Sequence, residues 1–382
     1  MRIALTNPFC WPQVRRGSER LLHDLAAYLH RRGHEVSVIT SAPTGTEPEF
    51  PPEIETIVWR QRWQALDFGR WTGPGIAFAR FCRHTLLHRD FEVVHCLHHF
   101  DAYGAALARA APATKFKLVH QFMGIPVRRY FLPAPHELLM FRTVLKHADH
   151  ILVLSRYAAF TLERDFAAKA TTIPLPVEMA SFRNTAKAVP ADWPSIVFLG
   201  DVGEPRKGAL PCAEAFAGLK DSFPDAVLHF CGNAPARDVE RIVAAVPPDV
   251  RDSIRFHGAV PPSDLPRHLA SATVMALPSM WEAFGVVFAE ALASGTPVVG
   301  CQHGGVPDIV DDSRIGVLVD PGQARGVLQD VDALVEALRT AVALAKDPAT
   351  EACCRTHAAR FGWDRLGPSY EALYEHLLAE GS

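Results

Sequence analysis

Two glutamates, two adjacent cations and one histidine are the residues of this chain whose type and placement could do chemistry. Glu282 and Glu290 lie in "SMWEAFGVVFAEALASGTPVVG", Ser279 to Gly300, with seven residues between them. Glu282 follows the apolar run "TVMALP", which places it beyond a strand's carboxyl end. Gly285 lets backbone come close to a ligand, and the residues after it start a helix. The amides of Ala283, Phe284, Gly285 and Val286 would then point outward, as helix N-terminal amides do. Neutral sugar hydroxyls suit such amides beside a carboxylate. Glu290 falls about one turn into the helix among Val287, Phe288, Ala289, Ala291 and Leu292, where a carboxylate is costly without partners. The alternative for Glu290 is a solvent-facing position on the polar side of an ordinary helix.

The cations are Arg206 and Lys207 in "FLGDVGEPRKGALPCAEAF". A strand ends at Leu199, a Gly-bearing loop follows, and a helix begins near Ala209. Backbone amides and two cations after a strand make an anion site that a diphosphate would fit. The alternative is a solvated basic loop, and neither GxxxxGK[ST] nor GxGxxG occurs here. The histidine is His120, at the end of "KFKLVH"; a lone histidine ending a strand is more often structural. His95, His98 and His99 also lie near a strand end and compete for any role given to it. No metal site is expected among these three, because paired Cys or carboxylate ligands are lacking.

These residues need elements to position them. The chain opens with "RIALTNPF", a buried strand and loop, followed by "SERLLHDLAAYLHRRGHEVSVIT". Leu21, Leu22, Leu25, Ala26 and Leu29 recur at helical spacing, with Ser18 as the expected N-cap. Gly33 ends that helix and "EVSVIT" is the next strand, so the segment is a βαβ unit and implies a parallel sheet. The pattern recurs with "FEVVHC", "KFKLVHQF" and "ADHILVLS". A second series comprises "SIVFLGD", "AVLHFCG", "IRFHG", "ATVMALPS", "TPVVGC" and "GVLVD", with helices expected around 209–220, 237–245, 263–270 and 286–294. A linker near 184–194 separates the two series. The expected organisation is α/β: one doubly wound domain over 1–185, a second over 186–360, and a helix within 361–382. That helix carries Tyr370, Leu373, Tyr374, Leu377 and Leu378 on its apolar positions. It could pack on the second domain alone or cross back to the first. In such sheets ligands bind outside the strands' carboxyl ends, and with two domains the cleft between them is the default site.

A chain of 382 residues is long enough for two cores, and an apolar content of 48% with 21% charged residues describes a globular protein. Its eight cysteines show no CxxC pair, which fits free thiols in a reducing cytoplasm. No run approaches the ~18 apolar residues that a membrane-spanning helix needs, and the N-terminus has no apolar signal region. Net charge is −3, but residues 1–185 hold 23 Lys and Arg against 16 Asp and Glu, leaving −10 for the remainder. A basic first half suits a negatively charged partner, such as a phosphorylated substrate or an anionic lipid surface. Arg60, Arg62, Trp63, Arg70, Trp71, Arg80, Phe81, Arg83 and Arg89 interleave bases with aromatics, and Arg128, Arg129, Tyr130 and Phe131 form a second such cluster. Both also fit surface arginines that pack their stems on aromatic rings.

Taken together, these segments resemble the retaining, nucleotide-sugar-dependent glycosyltransferases of the GT-B fold, in the large family four. "EAFGVVFAEALASGTPVV" is similar to that family's EX7E signature and its continuation, and "GEPRKG" resembles its diphosphate loop. "RGSERLLHDLAAYLHRRGHEVSVIT" looks like its first loop, helix and strand. "HGGVPDIV" resembles the loop after the signature helix, and "FGWDRLGPSYEALY" the closing helix. The resemblance implies two Rossmann-like domains facing a deep cleft, with the last helix crossing back to the first domain. It also implies that Arg206 and Lys207 neutralise the donor diphosphate and stabilise the departing nucleotide. Glu290 would accept from ribose hydroxyls. Glu282, with the amides of Phe284 and Gly285, would hold the donor sugar. Gly232 and Asn233 match the nucleoside-side loop, Gly258, Ala259 and Val260 would lie near the base, and Gly17 would let the first loop approach the phosphates. His120 matches the family histidine that faces the donor sugar.

The donor implied is a UDP- or GDP-sugar, with no cofactor and no catalytic metal; the lone DxD, Asp330 to Asp332, lies in a distal helical region. The family is thought to react on one sugar face, the leaving phosphate helping to deprotonate the acceptor, so no nucleophile and no dedicated base are assigned. Three positions depart from the family pattern: Arg16 stands before Gly17 in place of a second glycine, Asp201 stands where many members have arginine, and Asp308 stands for the acid of "GG-P-E". The expected acceptor is a hydroxyl-bearing cell-envelope, polysaccharide or glycolipid precursor, anionic or lipid-linked, rather than a nucleic acid. The expected setting is the cytoplasm, with peripheral contact at the inner membrane face through the basic first half. A GT-B phosphorylase or epimerase, or a non-catalytic sugar-binding protein, are the competing readings, since one scaffold hosts several chemistries.

Overall fold

The computed structural model describes residues 1–14, 16–61, 72–112, 114–188, 194–322 and 326–380. Arg62, Trp63, Arg70 and Trp71 of the first basic cluster, and 189–193 of the expected linker, lie outside the described residues. The chain divides into two compact units, Met1–Pro176 with Leu366–Ser382, and Val177–Arg365.

The first unit holds seven parallel strands: β1 (Arg2–Thr6), β2 (Glu35–Pro43), β3 (Glu55–Gln61), β4 (Val93–Cys96), β5 (Lys117–Phe122), β6 (His150–Val153) and β7 (Thr171–Thr172), in the order β3-β2-β1-β4-β5-β6-β7. The second holds six: β8 (Ser195–Leu199), β9 (Val227–Cys231), β10 (Ile254–Gly258), β11 (Val274–Leu277), β12 (Val298–Cys301) and β13 (Gly316–Val319), in the order β10-β9-β8-β11-β12-β13. Each sheet is doubly wound, because the strand order reverses once, between β1 and β4 in one unit and between β8 and β11 in the other. The central strands are apolar without alternation and buried throughout, as strands covered on both faces must be. The edge strands β3 and β7 escape the sequence reading: β3 is "ETIVWRQ", largely half-buried, and β7 has two residues.

The first helix runs Gly17–Arg31 and its N-cap is Arg16, not Ser18. The physical reason is the Glu19 side chain reaching back: its carboxylate accepts the Arg16 amide at 3.0 Å and the Ser18 hydroxyl at 2.6 Å. The units divide earlier than the expected linker because a short helix, Met179–Arg183, buries Met179 and Phe182 beside the helices Leu265–Ala270 and Val286–Ala293 of the second unit.

The last helix, Trp363–Ala379, joins the first unit from Leu366 onward. Tyr370 and Tyr374 are fully buried there, and the Tyr374 hydroxyl lies 2.6 Å from His95 Nδ1. Glu371 gathers Tyr28 at 2.7 Å, Arg32 at 3.1 Å and His34 at 3.0 Å.

Candidate functional site

The second unit brings its charged residues together where strand order reverses, the place at which a doubly wound sheet leaves a crevice. β8 ends at Leu199; a loop and a single turn, Pro205–Lys207, lead through Gly208 into the helix Ala209–Leu219. Gly208 has φ 76°, and a Cβ there would sit 2.6 Å from the Pro278 carbonyl oxygen, so the β8 and β11 loops are pressed together. The Met280 amide donates to the Arg206 carbonyl at 2.7 Å and locks them. Lys207 Nζ then donates to Glu282 Oε1 at 2.6 Å, and an Arg206 guanidinium nitrogen reaches the same oxygen at 3.2 Å. Arg206 also pairs with Glu204 at 2.8 Å. The Lys207 and Glu282 side chains are mostly enclosed, 17% and 13% exposed, whereas Arg206 remains 40% exposed.

Glu282 is aimed by its backbone. Trp281 has φ 63°, a left-handed conformation that a bulky residue adopts only when its surroundings impose it, and its amide donates to His303 Nδ1 at 3.2 Å. The Gly305 amide donates to the Glu282 carbonyl at 2.8 Å. A Cβ at Gly305 would fall 2.5 Å from the Ala283 carbonyl oxygen and 2.7 Å from Phe284 Cα, so the "HGG" stretch is glycine because the Glu282–Phe284 backbone lies against it. Gly285, at φ 93°, turns the chain into the helix Val286–Ala293. Glu290 in that helix is 1% exposed, so it is not solvent-facing.

The neighbouring loops lie at the same sheet edge. The Gly232 amide donates to the Gly258 carbonyl at 2.8 Å, and the Val202 amide to the Asn233 carbonyl at 2.8 Å. Gly232 has φ 154°, and any Cβ there would run into the Gly200 carbonyl oxygen. Gly258 has φ 69° with open space around it, Ala259 is exposed and Val260 half-buried.

In the first unit, His120 does not end its strand as expected but lies inside β5, which continues through Gln121 to Phe122, and it is 1% exposed. Its Nδ1 lies 3.2 Å from the Cys96 carbonyl oxygen, which can only accept, so the proton sits on Nδ1. Nε2 has no hydrogen-bond partner among the described residues. Burial pushes the imidazole down to about 4, with the Cys96 carbonyl opposing that and His99 adding to it. Of the competing histidines, His95 Nδ1 meets Tyr374, His98 Nδ1 accepts from the Phe100 amide at 3.4 Å, and His99 Nε2 lies 3.3 Å from the Glu137 carboxylate. Nε2 of His95 and of His99, like that of His120, makes no hydrogen bond among the described residues, so this count alone does not single out His120. Asp101, fully buried beside them, accepts from Thr6 at 2.5 Å and is pushed up to about 8 by burial. A Cβ at Gly17 would meet only Leu175 Cδ2 at 3.7 Å, so nothing within this unit requires glycine there.

The model of the glycosyl transferases group 1 matches residues 193–342, and that of glycosyltransferase family 4 matches residues 15–181. The chain belongs to glycosyltransferase family four. It is similar to a phosphatidyl-myo-inositol mannosyltransferase of Mycobacterium leprae, 26% identical over 100% of this chain and 98% of that protein. Among solved structures it resembles the sucrose-phosphate synthase of Thermosynechococcus elongatus, with a TM-score of 0.81, 22% identity and 99% of each chain covered. It also resembles HepE of Anabaena in complex with UDP, with a TM-score of 0.71, 16% identity, and 98% of this chain and 100% of that one covered. The fold of this glycosyltransferase is therefore GT-B.

Two of the transferase's departures from the family pattern have a structural account. Asp201 turns inward on its own loop, accepting from the Gly203 amide at 2.9 Å and from Asn233 Nδ2 at 3.4 Å, so it braces the loop that precedes Arg206. Arg16 is exposed, and its backbone, not its side chain, meets Glu19. Asp308 lies in the short helix Val306–Ile309, directly after the glycine pair. Sequence reasoning missed the strained Trp281, its anchor His303 and the bracing by Asp201. The glycine pair in "HGGVPD" was the available signal, since adjacent glycines mark a close approach of backbones. Among the described residues of the transferase, no group of three His, Cys, Asp or Glu is placed to hold a metal, and no helix is long and apolar enough to cross a membrane.

Proposed function

We propose that this glycosyltransferase moves a sugar from a nucleoside diphosphate sugar, UDP- or GDP-linked, to a hydroxyl acceptor with retention of anomeric configuration. The observation that carries the reading is the convergence of Lys207 and Arg206 on Glu282 at the switch point of the second unit. Two cations fixed beside one carboxylate suit a donor whose diphosphate takes the cations while its sugar hydroxyls take the carboxylate. When the glycosidic bond breaks, charge grows on the departing phosphate, and cations already in place stabilise it without reorganisation. Glu290 is proposed for the ribose hydroxyls; Gly232, Asn233, Gly258, Ala259 and Val260 for the nucleoside; the amides of Ala283 to Val286 for the sugar.

His120 is proposed as the group of the first unit that meets the donor sugar. With its proton on Nδ1 and a folded-state pKa near 4, it offers a neutral Nε2 acceptor at neutral pH. That suits a sugar hydroxyl rather than a phosphate. Gly17 is proposed to admit the phosphates, because the unit itself leaves its Cβ position free. The UDP-bound neighbour and the mannosyltransferase relative support a nucleotide-sugar donor and a glycolipid acceptor. An anionic or lipid-linked cell-envelope acceptor met at the inner membrane face is proposed on the basic charge of residues 1–185 alone.

A thermal-shift panel of nucleotides and nucleotide sugars tests the donor. One of UDP or GDP raises the melting temperature, and Glu290→Ala removes most of that shift. No shift with any nucleotide at millimolar concentration sinks the reading. The anomeric proton coupling of the product decides retention.

A further inference from the structure

We propose that the first unit docks on an anionic lipid bilayer through the connection that leaves β5 and the outer face of the helix Pro135–His147. Exposed large apolar side chains are few among the described residues, and three of the five fall here: Tyr130 at 56%, Leu132 at 74% and Leu139 at 68%. The inner face of the same helix is committed to the core through Met140, Phe141 and Val144. His136, Leu139, Arg142 and Lys146 are exposed at helical spacing along the opposite face, and Arg128 and Arg129 are exposed just before Tyr130.

The charge around these apolar tips is of one sign. Residues 128–147 hold Arg128, Arg129, Arg142 and Lys146 against the single acid Glu137, a formal balance of +3. Glu137 is turned inward, paired with His99 at 3.3 Å. Asp165, the acid beside Arg128, is held by Arg164 at 2.7 Å and by the Arg128 backbone amide at 2.9 Å. Leucines and a tyrosine among cations match a headgroup layer, where the tips enter the acyl boundary and the cations meet phosphates. A second protein fits less well. A protein interface takes roughly 800 Å² a side, with charged residues depleted from its core, whereas here four cations of one sign surround three apolar tips.

The surface is also at the useful edge of its sheet. β5 carries His120 near its carboxyl end at Phe122 and feeds directly into this connection, and the Glu137–His99 pair joins the helix to the residues just after β4. A bilayer docked here would present a lipid-linked hydroxyl at the edge that holds His99 and His120. That use of the surface rests on the transferase reading, whereas the docking itself rests on exposure and charge.

The test is sedimentation of the full chain with phosphatidylcholine vesicles, with and without phosphatidylglycerol. Binding is expected only with the anionic lipid and weakens as salt is added. Arg128→Ser with Arg142→Ser lowers the partition about fivefold per cation removed, and Leu132→Ser with Leu139→Ser lowers it independently. Both double variants keep the parent melting temperature, since all four side chains are exposed. Failure to bind anionic vesicles, binding indifferent to both variants, or a self-association lost in the leucine variant without any vesicle binding overturns the proposal. The nucleotide-induced thermal shift is read on the same samples. A shift retained without vesicle binding removes the docking surface alone, and vesicle binding without a shift removes the donor reading alone.

Discussion

Lys207 Nζ and Glu282 Oε1 lie 2.6 Å apart across 75 residues of sequence, one on the loop after β8 and the other on the loop after β11. A carboxylate held on a cation intended for a diphosphate should oppose nucleotide binding while helping the sugar. The two substitutions should therefore part company. Lys207→Ala lowers kcat about 10²- to 10³-fold, as loss of a transition-state charge partner does, and abolishes the nucleotide thermal shift. Glu282→Gln also slows transfer, yet it binds the free nucleoside diphosphate as well as the parent or roughly fivefold tighter, because a like charge has been removed near the phosphates. Calorimetric titration separates the two. Weaker nucleotide binding by Glu282→Gln refutes this division of roles.

Two glycines separate constraint by the fold from constraint by a ligand. Gly232 stands at φ 154° with its Cβ direction blocked by the Gly200 carbonyl. Gly232→Ala should cost at least about 1–3 kcal/mol of backbone strain, with the clash against the Gly200 carbonyl added to it, seen as a lower denaturant midpoint. Gly17 meets only Leu175 at 3.7 Å. Gly17→Ala should unfold at the parent midpoint but raise KM for the donor. A stability loss at Gly17 equal to that at Gly232 would remove the case for a phosphate there.

Much of this was legible in the sequence, and what was not had a common cause. Uninterrupted apolar runs such as "SIVFL" and "VMAL" announce buried parallel strands, and the helical spacing after Gly285 announces the helix that buries Glu290. The order of βα units then puts Arg206, Lys207 and Glu282 beyond strand ends. The left-handed Trp281, the pressing of Gly304 and Gly305 against its neighbours, and the inward turn of Asp201 depend on loops that meet only after the sheet has formed. No local propensity encodes such meetings. Ser18 failed as a cap for a related reason: serine, threonine and asparagine side chains are favoured caps, but Glu19 captured both the Arg16 amide and the serine hydroxyl.

Two buried groups of the first unit should give stability a two-sided pH dependence. His120 titrates near 4 when folded against about 6.5 when unfolded. Between those values the unfolded state binds more protons, so stability is lost as pH falls, at up to about 1.4 kcal/mol per unit. His95, pushed down to about 3 by burial, adds in the same direction. Asp101 is raised to about 8 from an ordinary value of 3.8, so the folded state holds the extra proton and stability is lost as pH rises through that window. His120→Gln should flatten the acid limb and Asp101→Asn the alkaline limb, in denaturant titrations across pH 4 to 8. An unchanged alkaline limb in Asp101→Asn would show that Asp101 is ionised in the folded protein.

The hydroxyl of Tyr374 and Nδ1 of His95, 2.6 Å apart, form a fully buried polar pair linking the last helix to β4 within the first unit. Removing one member leaves the other without its partner in a site closed to water. Tyr374→Phe should therefore cost about 1–3 kcal/mol, although it deletes only an oxygen and keeps the ring that fills the space. Replacing both members, as in His95→Leu with Tyr374→Phe, removes the orphan and should recover part of that loss. The stability of the double variant should exceed the sum expected from the two single losses, by an interaction energy within the range found for residues in contact. Equilibrium denaturation of the four proteins measures it. Strict additivity would mean that the helix is held by the apolar packing of Tyr370, Tyr374 and Leu377 alone, with the polar pair contributing nothing to its attachment.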